Sequence, residues 1–347
     1  MAGNVLHGVN LTGWLSLEPW VTPELFAESG SLDEDSLVEA LGERRYADVV
    51  RRHRETFITK EDFDRMASRG FNAVRLPVPW YAFGAAGPDP ASFVGCVDVI
   101  DQALDWAEDI DLKVIFVLAI NPGTFTGGAT RMSDLSDFSQ ARKTALDVTY
   151  ALCKRYASRL GFYGIEIADE VGVQRRRGFS LTDGVPQHQL RNYYREAYEL
   201  IRTAAGPEPV VIMPDGGYPA SLNKFMAQRH YQNVWLDVHL DKSRTKVDVS
   251  APSGVRRLVA EEARYIKAAQ NSGMPVMVGK WSASLPMADS AMTPEGRIAL
   301  ERVYTSEQLV SYEKCPAWFF NTWKTSELLP GWDARVALAS FERGLIA

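Results

Sequence analysis

A chain of 347 residues, 46% hydrophobic and 24% charged, carries enough apolar material for one large core or two small ones. Its net charge of −6 argues against nucleic acid or an anionic membrane surface as a partner and favours a neutral or polar small molecule. The opening Met-Ala-Gly-Asn-Val-Leu-His-Gly shows no basic segment followed by an apolar one, and no stretch approaches 18 uninterrupted apolar residues, so the expected location is cytoplasmic.

Short apolar, β-branched runs alternate with longer stretches of helical period. In chain order the spacing predicts a strand over 6–11, a helix-like piece over 33–41, a helix over 60–68 and a strand over 72–76. A helix over 97–110, a strand over 113–119, a Gly/Thr-rich loop over 121–130 and a helix over 138–159 follow. The second half continues with a strand over 163–168, a helix over 187–205, strands over 209–213 and 234–239, and a helix over 253–271. It ends with a strand over 276–280, a helix over 294–312, a strand over 318–323 and a helix over 333–345. Eight strands joined by mostly helical crossovers predict α/β architecture, a single (β/α)8 TIM barrel over 1–347 with an extended first connection at about 12–59.

Cys96, Cys153 and Cys315 are widely spaced and form no CxxC pair, and the helical patterns around Cys96 and Cys153 predict burial as small hydrophobes. Five histidines show no metal-ligand spacing, so neither a metal nor any other cofactor is expected.

In such a barrel, functional side chains belong at the C-terminal ends of the strands. The polar residues there are Asn10 and Glu18 after the first strand, Arg75 on the second, Asp169 and Glu170 after the fourth, and Asp215 after the fifth. His239 and Asp241 follow the sixth, Lys280 the seventh and Trp323 the eighth. Ionisable groups converging on one rim are costly without partners or a ligand to satisfy them, which marks the rim as the candidate site. His7 and His53 lie outside it and read as structural, and the run Arg175, Arg176 and Arg177 reads as solvated loop.

Five segments then point to a family. They are Gly8 to Phe26 (GVNLTGWLSLEPWVTPELF), Thr56 to Phe63 (TFITKEDF), Ala73 to Val78 (AVRLPV), Leu236 to His239 (LDVH) and Trp318 to Thr325 (WFFNTWKT). In this order and nearly end to end, the chain resembles the exo-β-1,3-glucanase branch of glycoside hydrolase family five. The resemblance implies a retaining mechanism, in which one glutamate attacks the sugar and another acts as acid and then base, their carboxyls about 5 Å apart. It implies that Glu170 is the acid/base, Arg75 supports the nucleophile, His239 lies in the pocket and Trp323 stacks on the sugar; Arg75, His239 and Trp323, with Glu18 and Asn10 from their places on the rim, make up the expected substrate-binding set.

The chain departs from the family pattern in the same pocket. Where the family has its nucleophile, in Pro275 to Ser282 (PVMVGKWS), stands Lys280. Asp169 takes the place of an asparagine, Val171 of a proline, Ala119 of a histidine and Asp241 of a tyrosine. An ammonium has no lone pair, and a positive charge beside an oxocarbenium raises the barrier, so family-type hydrolysis is expected to be lost. Three readings follow: a repurposed enzyme acting on a sugar or sugar-like small molecule, a non-catalytic carbohydrate-binding relative, and a residual hydrolase of inverting geometry. For the first, Glu170 with Asp169 or Asp241 forms an acid/base pair while Lys280 anchors an oxyanion, or a neutral Lys280 forms a Schiff base.

Overall fold

The computed structural model describes residues 5–84, 93–120, 138–177, 180–182, 184–241, 245–286 and 292–339. Eight parallel strands close into a barrel: β1 Leu6–Asn10, β2 Ala73–Pro79, β3 Lys113–Ala119, β4 Phe162–Glu166, β5 Val210–Pro214, β6 Val234–His239, β7 Val276–Trp281 and β8 Ala317–Phe320. β1 pairs with both β2 and β8, which leaves the barrel no open edge. The (β/α)8 expectation holds. The strands over 113–119 and 234–239 coincide with those expected, and the others differ by at most three residues at an end.

The long first connection is more helical than its sequence suggested. It carries α1 Glu24–Ala27, α2 Glu34–Leu41 and α3 Glu43–Thr56 before α4 Lys60–Ser68. The remaining helices are α5 Val97–Asp109, α6 Phe138–Tyr156, α7 Gln187–Ala205, α8 Pro252–Gln270, α9 Pro294–Tyr312 and α10 Ala334–Ala337. The helix expected over 333–345 is described only to residue 339, and the loop over 121–130 lies outside the described residues.

Strand alternation decides what fills the barrel. One layer is apolar: Leu6, Ala73, Ile115, Val210, Ile212, Met277, Ala317 and Phe319 pack together. Continuing by the same period of two, the inward positions reach Asn10 on β1, Arg75 on β2, Glu166 on β4 and Asp237 on β6, all buried. The barrel thus passes from hydrocarbon to charge within one layer. The larger apolar cluster, with Val9, Val74, Phe116, Ile165 and Val238, seals the opposite face of the strands against the helices.

β7 carries one more residue than its neighbours where it meets them. Val278 aligns with Val238 and Trp318, but the next partners are Lys280 with His239 and Trp281 with Phe320. The extra residue falls at Gly279, whose N–H donates to Asp237 Oδ1 at 2.5 Å. Such a bulge breaks the period-two alternation and aims the following side chain at the barrel mouth.

Candidate active site at the barrel mouth

Arg75 organises the floor of the mouth. Its wholly buried guanidinium donates through Nε to Glu166 at 2.9 Å, Nη1 to Asn10 Oδ1 at 2.9 Å and Nη2 to Asp169 Oδ1 at 2.8 Å. Asp237 Oδ2 lies 3.5 Å from Nη2. A rigid, permanently charged fork suits this convergence of acceptors. Asn10 completes the frame by donating to the Gly279 carbonyl at 2.9 Å.

Lys280, only 5% exposed, donates from Nζ to Asp169 Oδ2 at 2.7 Å and to Glu170 Oε1 at 3.2 Å. Burial alone would push its ammonium down, but the carboxylates of Asp169 and Glu170 outweigh it and hold the pKa well above the ordinary lysine value. The amine is charged at neutral pH, so it lacks the lone pair that Schiff-base formation requires. Lys280 in turn holds Glu170 below the usual carboxylate range. Asp169, though buried, is held lower still by Lys280 and Arg75 together.

His239 Nε2 stands 3.0 Å from Asp237 Oδ2; burial lowers its pKa, but the Asp237 charge prevails and raises it. Beneath it Glu166 is pushed well above the carboxylate range by burial and by the charge of Asp237. Its Oε2 takes the Arg75 bonds, while its buried Oε1 meets no donor.

Three further carboxyls complete the rim. Glu18, partly open, accepts from the Trp20 indole at 2.6 Å, and burial pushes it up to about 7 against the pull of Lys280. Asp241, also partly open, accepts from Asn321 Nδ2 at 3.1 Å and is raised by burial. Asp215 accepts from the Tyr265 hydroxyl at 2.5 Å and the Gly217 N–H at 2.8 Å and is raised for the same reason.

The sequence pattern of the family described as Cellulase (glycosyl hydrolase family 5) matches residues 47–303 of this mouth and barrel. The chain belongs to glycosyl hydrolase family 5. It is 30% identical over 380 residues to a probable glucan 1,3-beta-glucosidase A of Aspergillus clavatus, covering 97% of this chain and 86% of that one. A probable glucan 1,3-beta-glucosidase A of Aspergillus niger is likewise 30% identical over 380 residues with the same coverage. Among solved structures, the rutinosidase from Aspergillus niger superposes with a TM-score of 0.77 at 19% identity over 100% of this chain and 99% of that one. The endoglucanase of the hyperthermophilic Thermotoga maritima gives 0.61 at 16% identity, over 98% and 95%. At such identities these structures speak for the shared barrel.

Within this family-5 barrel, Asp169, Glu170, His239, Asp241 and Lys280 gather at one mouth with Glu18 beside them, linked by the hydrogen bonds and charges above. Three expected substrate-binding residues are corrected. Trp323 has no exposed surface, packs against Phe71 and Arg69, and gives its indole N–H to Asp62 at 2.9 Å, so it offers no face to a sugar. The strand-eight side chain that does reach the mouth is Asn321, two residues earlier. Asn10 and Arg75 are also fully enclosed, with their polar atoms turned to protein partners, and they position the site instead of touching a ligand. Sequence reasoning missed Glu166 and Asp237; their signal was an acid at an inward position of an otherwise apolar strand.

Glu166, Asp237 and His239 bring ligand atoms within 4.8 Å of one another, as a metal site would. The Arg75 guanidinium, 2.8 Å from Glu166, already supplies the positive charge there. His7 stacks on Trp318, and His53 bonds the Gly13 carbonyl at 2.7 Å with its pKa lowered by burial to about 4; both are structural. Arg175 lies over the Tyr218 ring. A separate hollow of about 560 Å³ opens outside the barrel between α3 and residues 324–326. Three of its cations are matched nearby, Arg45 by Glu28, Lys324 by Asp62 and Arg335 by Asp333, and it does not include the mouth residues.

Proposed function

We propose that this family-5 barrel holds a sugar or sugar-like ring and performs an acid/base reaction on it in place of retaining glucan hydrolysis. One observation carries the reading: the group at the end of β7 is an ammonium bonded to both Asp169 and Glu170. Retention needs a carboxylate there, about 5 Å from a second carboxyl that begins protonated. Lys280 provides no nucleophile, and it keeps Glu170 as a carboxylate, the wrong state for the acid of the first step.

The same charges suit another division of labour. Glu170 is the base, Asp241, whose pKa burial raises, is the general acid, and Lys280 anchors an oxyanion as it develops between them. Asp169, held low by two cations, is a positioning residue for Lys280. A second reading, a non-catalytic sugar-binding protein, draws support from the pairing of the Lys280 ammonium with two carboxylates of the mouth. Three buried free thiols, Cys96, Cys153 and Cys315, suit the proposed cytoplasmic location.

The test is an assay on laminarin and an aryl β-glucoside with the wild type and Lys280→Glu. No wild-type cleavage and recovered hydrolysis in the variant is the expected result; rapid wild-type cleavage with retention overturns the reading. Glu170→Gln separates the two readings, abolishing turnover if the residue is the base and leaving sugar affinity nearly intact if the protein only binds.

A further inference from the structure

The mouth does not end at its carboxyls. Trp80, Trp281 and Trp323, near the ends of β2, β7 and β8, are buried, but Trp20 and Trp332 keep part of their surface open. The Trp20 indole gives its N–H to Glu18 at 2.6 Å, so that edge of the ring is turned towards the rim. Trp332 stands against it, with ring centroids 5.5 Å apart and planes crossed at 64°. The Trp332 backbone is anchored to the same seam. Its carbonyl accepts from the Thr322 N–H at 2.7 Å, the Thr322 hydroxyl donates to the Asn10 carbonyl at 2.7 Å, and the neighbouring Asn321 reaches Asp241 at 3.1 Å. The two rings therefore form a shelf where the ends of β1 and β8 meet, one hydrogen bond from a rim carboxyl.

The chemistry of the shelf is apolar. The turn that leads into Trp332 carries Leu328, Leu329 and Pro330, all exposed. A lone apolar side chain on a surface is ordinary, but two indoles and three such neighbours beside an open site mark a contact for something apolar. A sugar lying on an indole still needs partners for its hydroxyls. Here the Trp20 N–H is spent on Glu18, and Leu328, Leu329 and Pro330 offer no side-chain donor or acceptor. An aromatic ring asks for none.

We infer that the ligand of this mouth is an aryl glycoside, whose sugar-like ring enters among the carboxyls and whose aromatic substituent lies on Trp20 and Trp332. This deepens the proposed function and rests on its premise that the mouth holds a ring. Stacking on two indoles, added to the apolar area withdrawn from water, selects an aryl group over a methyl group or a second sugar.

Calorimetric titration with methyl β-thioglucoside, phenyl β-thioglucoside and a sulfur-linked glucose disaccharide tests the inference. Sulfur in the glycosidic link keeps the three ligands intact whether or not the mouth hydrolyses oxygen glycosides, so the result stands apart from the laminarin assay. The phenyl compound should bind about tenfold more tightly than the methyl one, and the disaccharide within about threefold of the methyl one. Trp332→Ala should remove the phenyl advantage and leave the methyl affinity within about threefold, since the bond of Trp332 to Thr322 is made by the backbone. Trp20 is left in place because its indole holds Glu18. Should the variant fail to fold, saturation-transfer NMR of the wild type asks the same question, and the phenyl protons should take up more saturation than the sugar protons. Equal binding of the phenyl and methyl compounds, a phenyl advantage that survives Trp332→Ala, or a tighter disaccharide overturns the shelf and leaves the ring-binding premise standing. A dimer in sedimentation that Trp332→Ala dissociates also overturns it, giving the shelf to a second copy of the chain. Absence of binding by all three ligands overturns both.

Discussion

Two buried arginines, Arg54 and Arg75, show what separates a structural network from a working one. Arg54, on α3, spends its donors on backbone: the carbonyls of Leu15 at 2.7 Å, Val94 at 2.9 Å and Gly95 at 3.1 Å. Beside it Glu34 accepts from the Tyr46 hydroxyl at 2.5 Å and the Leu17 N–H at 3.0 Å and is almost wholly buried. That network ends on backbone, and it fastens the first connection onto the barrel so that Glu18, next to Leu17, is held at the mouth. Arg75 meets side chains instead, and its network ends in carboxyls that face solvent. Backbone carbonyls cannot titrate or trade partners; carboxyls can do both.

The largest effect expected from this contrast is on stability. Arg54→Met should cost about 3–5 kcal/mol in urea unfolding, because it strands three carbonyls and the Glu34 carboxyl. A loss below about 1 kcal/mol would break the comparison. Lys280→Met comes next, at about 2–3 kcal/mol near neutral pH, since Asp169 and Glu170 lose their counter-charge. Its sign with pH is fixed. Both acids have depressed values in the folded wild type, so their stabilisation is present above the ordinary carboxylate pKa and fades as pH falls. The gap between wild type and variant should therefore narrow on acidification, and a constant gap in unfolding midpoints from neutral pH to about 3 would count against the pairing.

Trp323→Phe should cost about 1–2 kcal/mol through the lost bond to Asp62, with no change in affinity for any sugar the mouth binds. A fall in that affinity would return Trp323 to the pocket. The smallest effect belongs to Glu18→Gln. With its value raised from 4.5 to about 7, Glu18 holds a proton in the folded state that the unfolded chain releases, so its contribution declines as pH rises through that window. The glutamine variant lacks the decline and should melt about 1–3 °C above the wild type beyond neutrality. Parallel melting curves across that range would place Glu18 in ordinary solvent.

Most of the barrel was legible because apolar strands and amphipathic helices advertise their periods. α3 was not. In Glu43–Thr56 the apolar stripe narrows to Tyr46, Val49 and Val50 amid arginines, and its inward positions continue as His53 and Arg54, which resemble surface residues until their partners are known. The rim acids and Lys280 were found from their places at strand ends. Glu166 and Asp237 were passed over because they sit within the strands, where the expected content is hydrocarbon. Asn321 escaped because the tryptophan two residues later carried the more conspicuous side chain, and only packing shows that this indole turns into the protein.

The bulge at Gly279 separates the address of Lys280 from its chemistry. A Cβ at position 279 would stand 1.9 Å from Asp237 Oδ2, so the carboxylate occupies the volume a side chain there would fill. The Gly279 N–H and carbonyl are gripped by Asp237 and Asn10. The backbone at the end of β7 is thus clamped from both sides by groups that never touch the side chain of 280. Whatever residue is installed next arrives at the same point in the cavity, which makes this position a fixed socket where the reactivity of the barrel can be exchanged without rebuilding its walls.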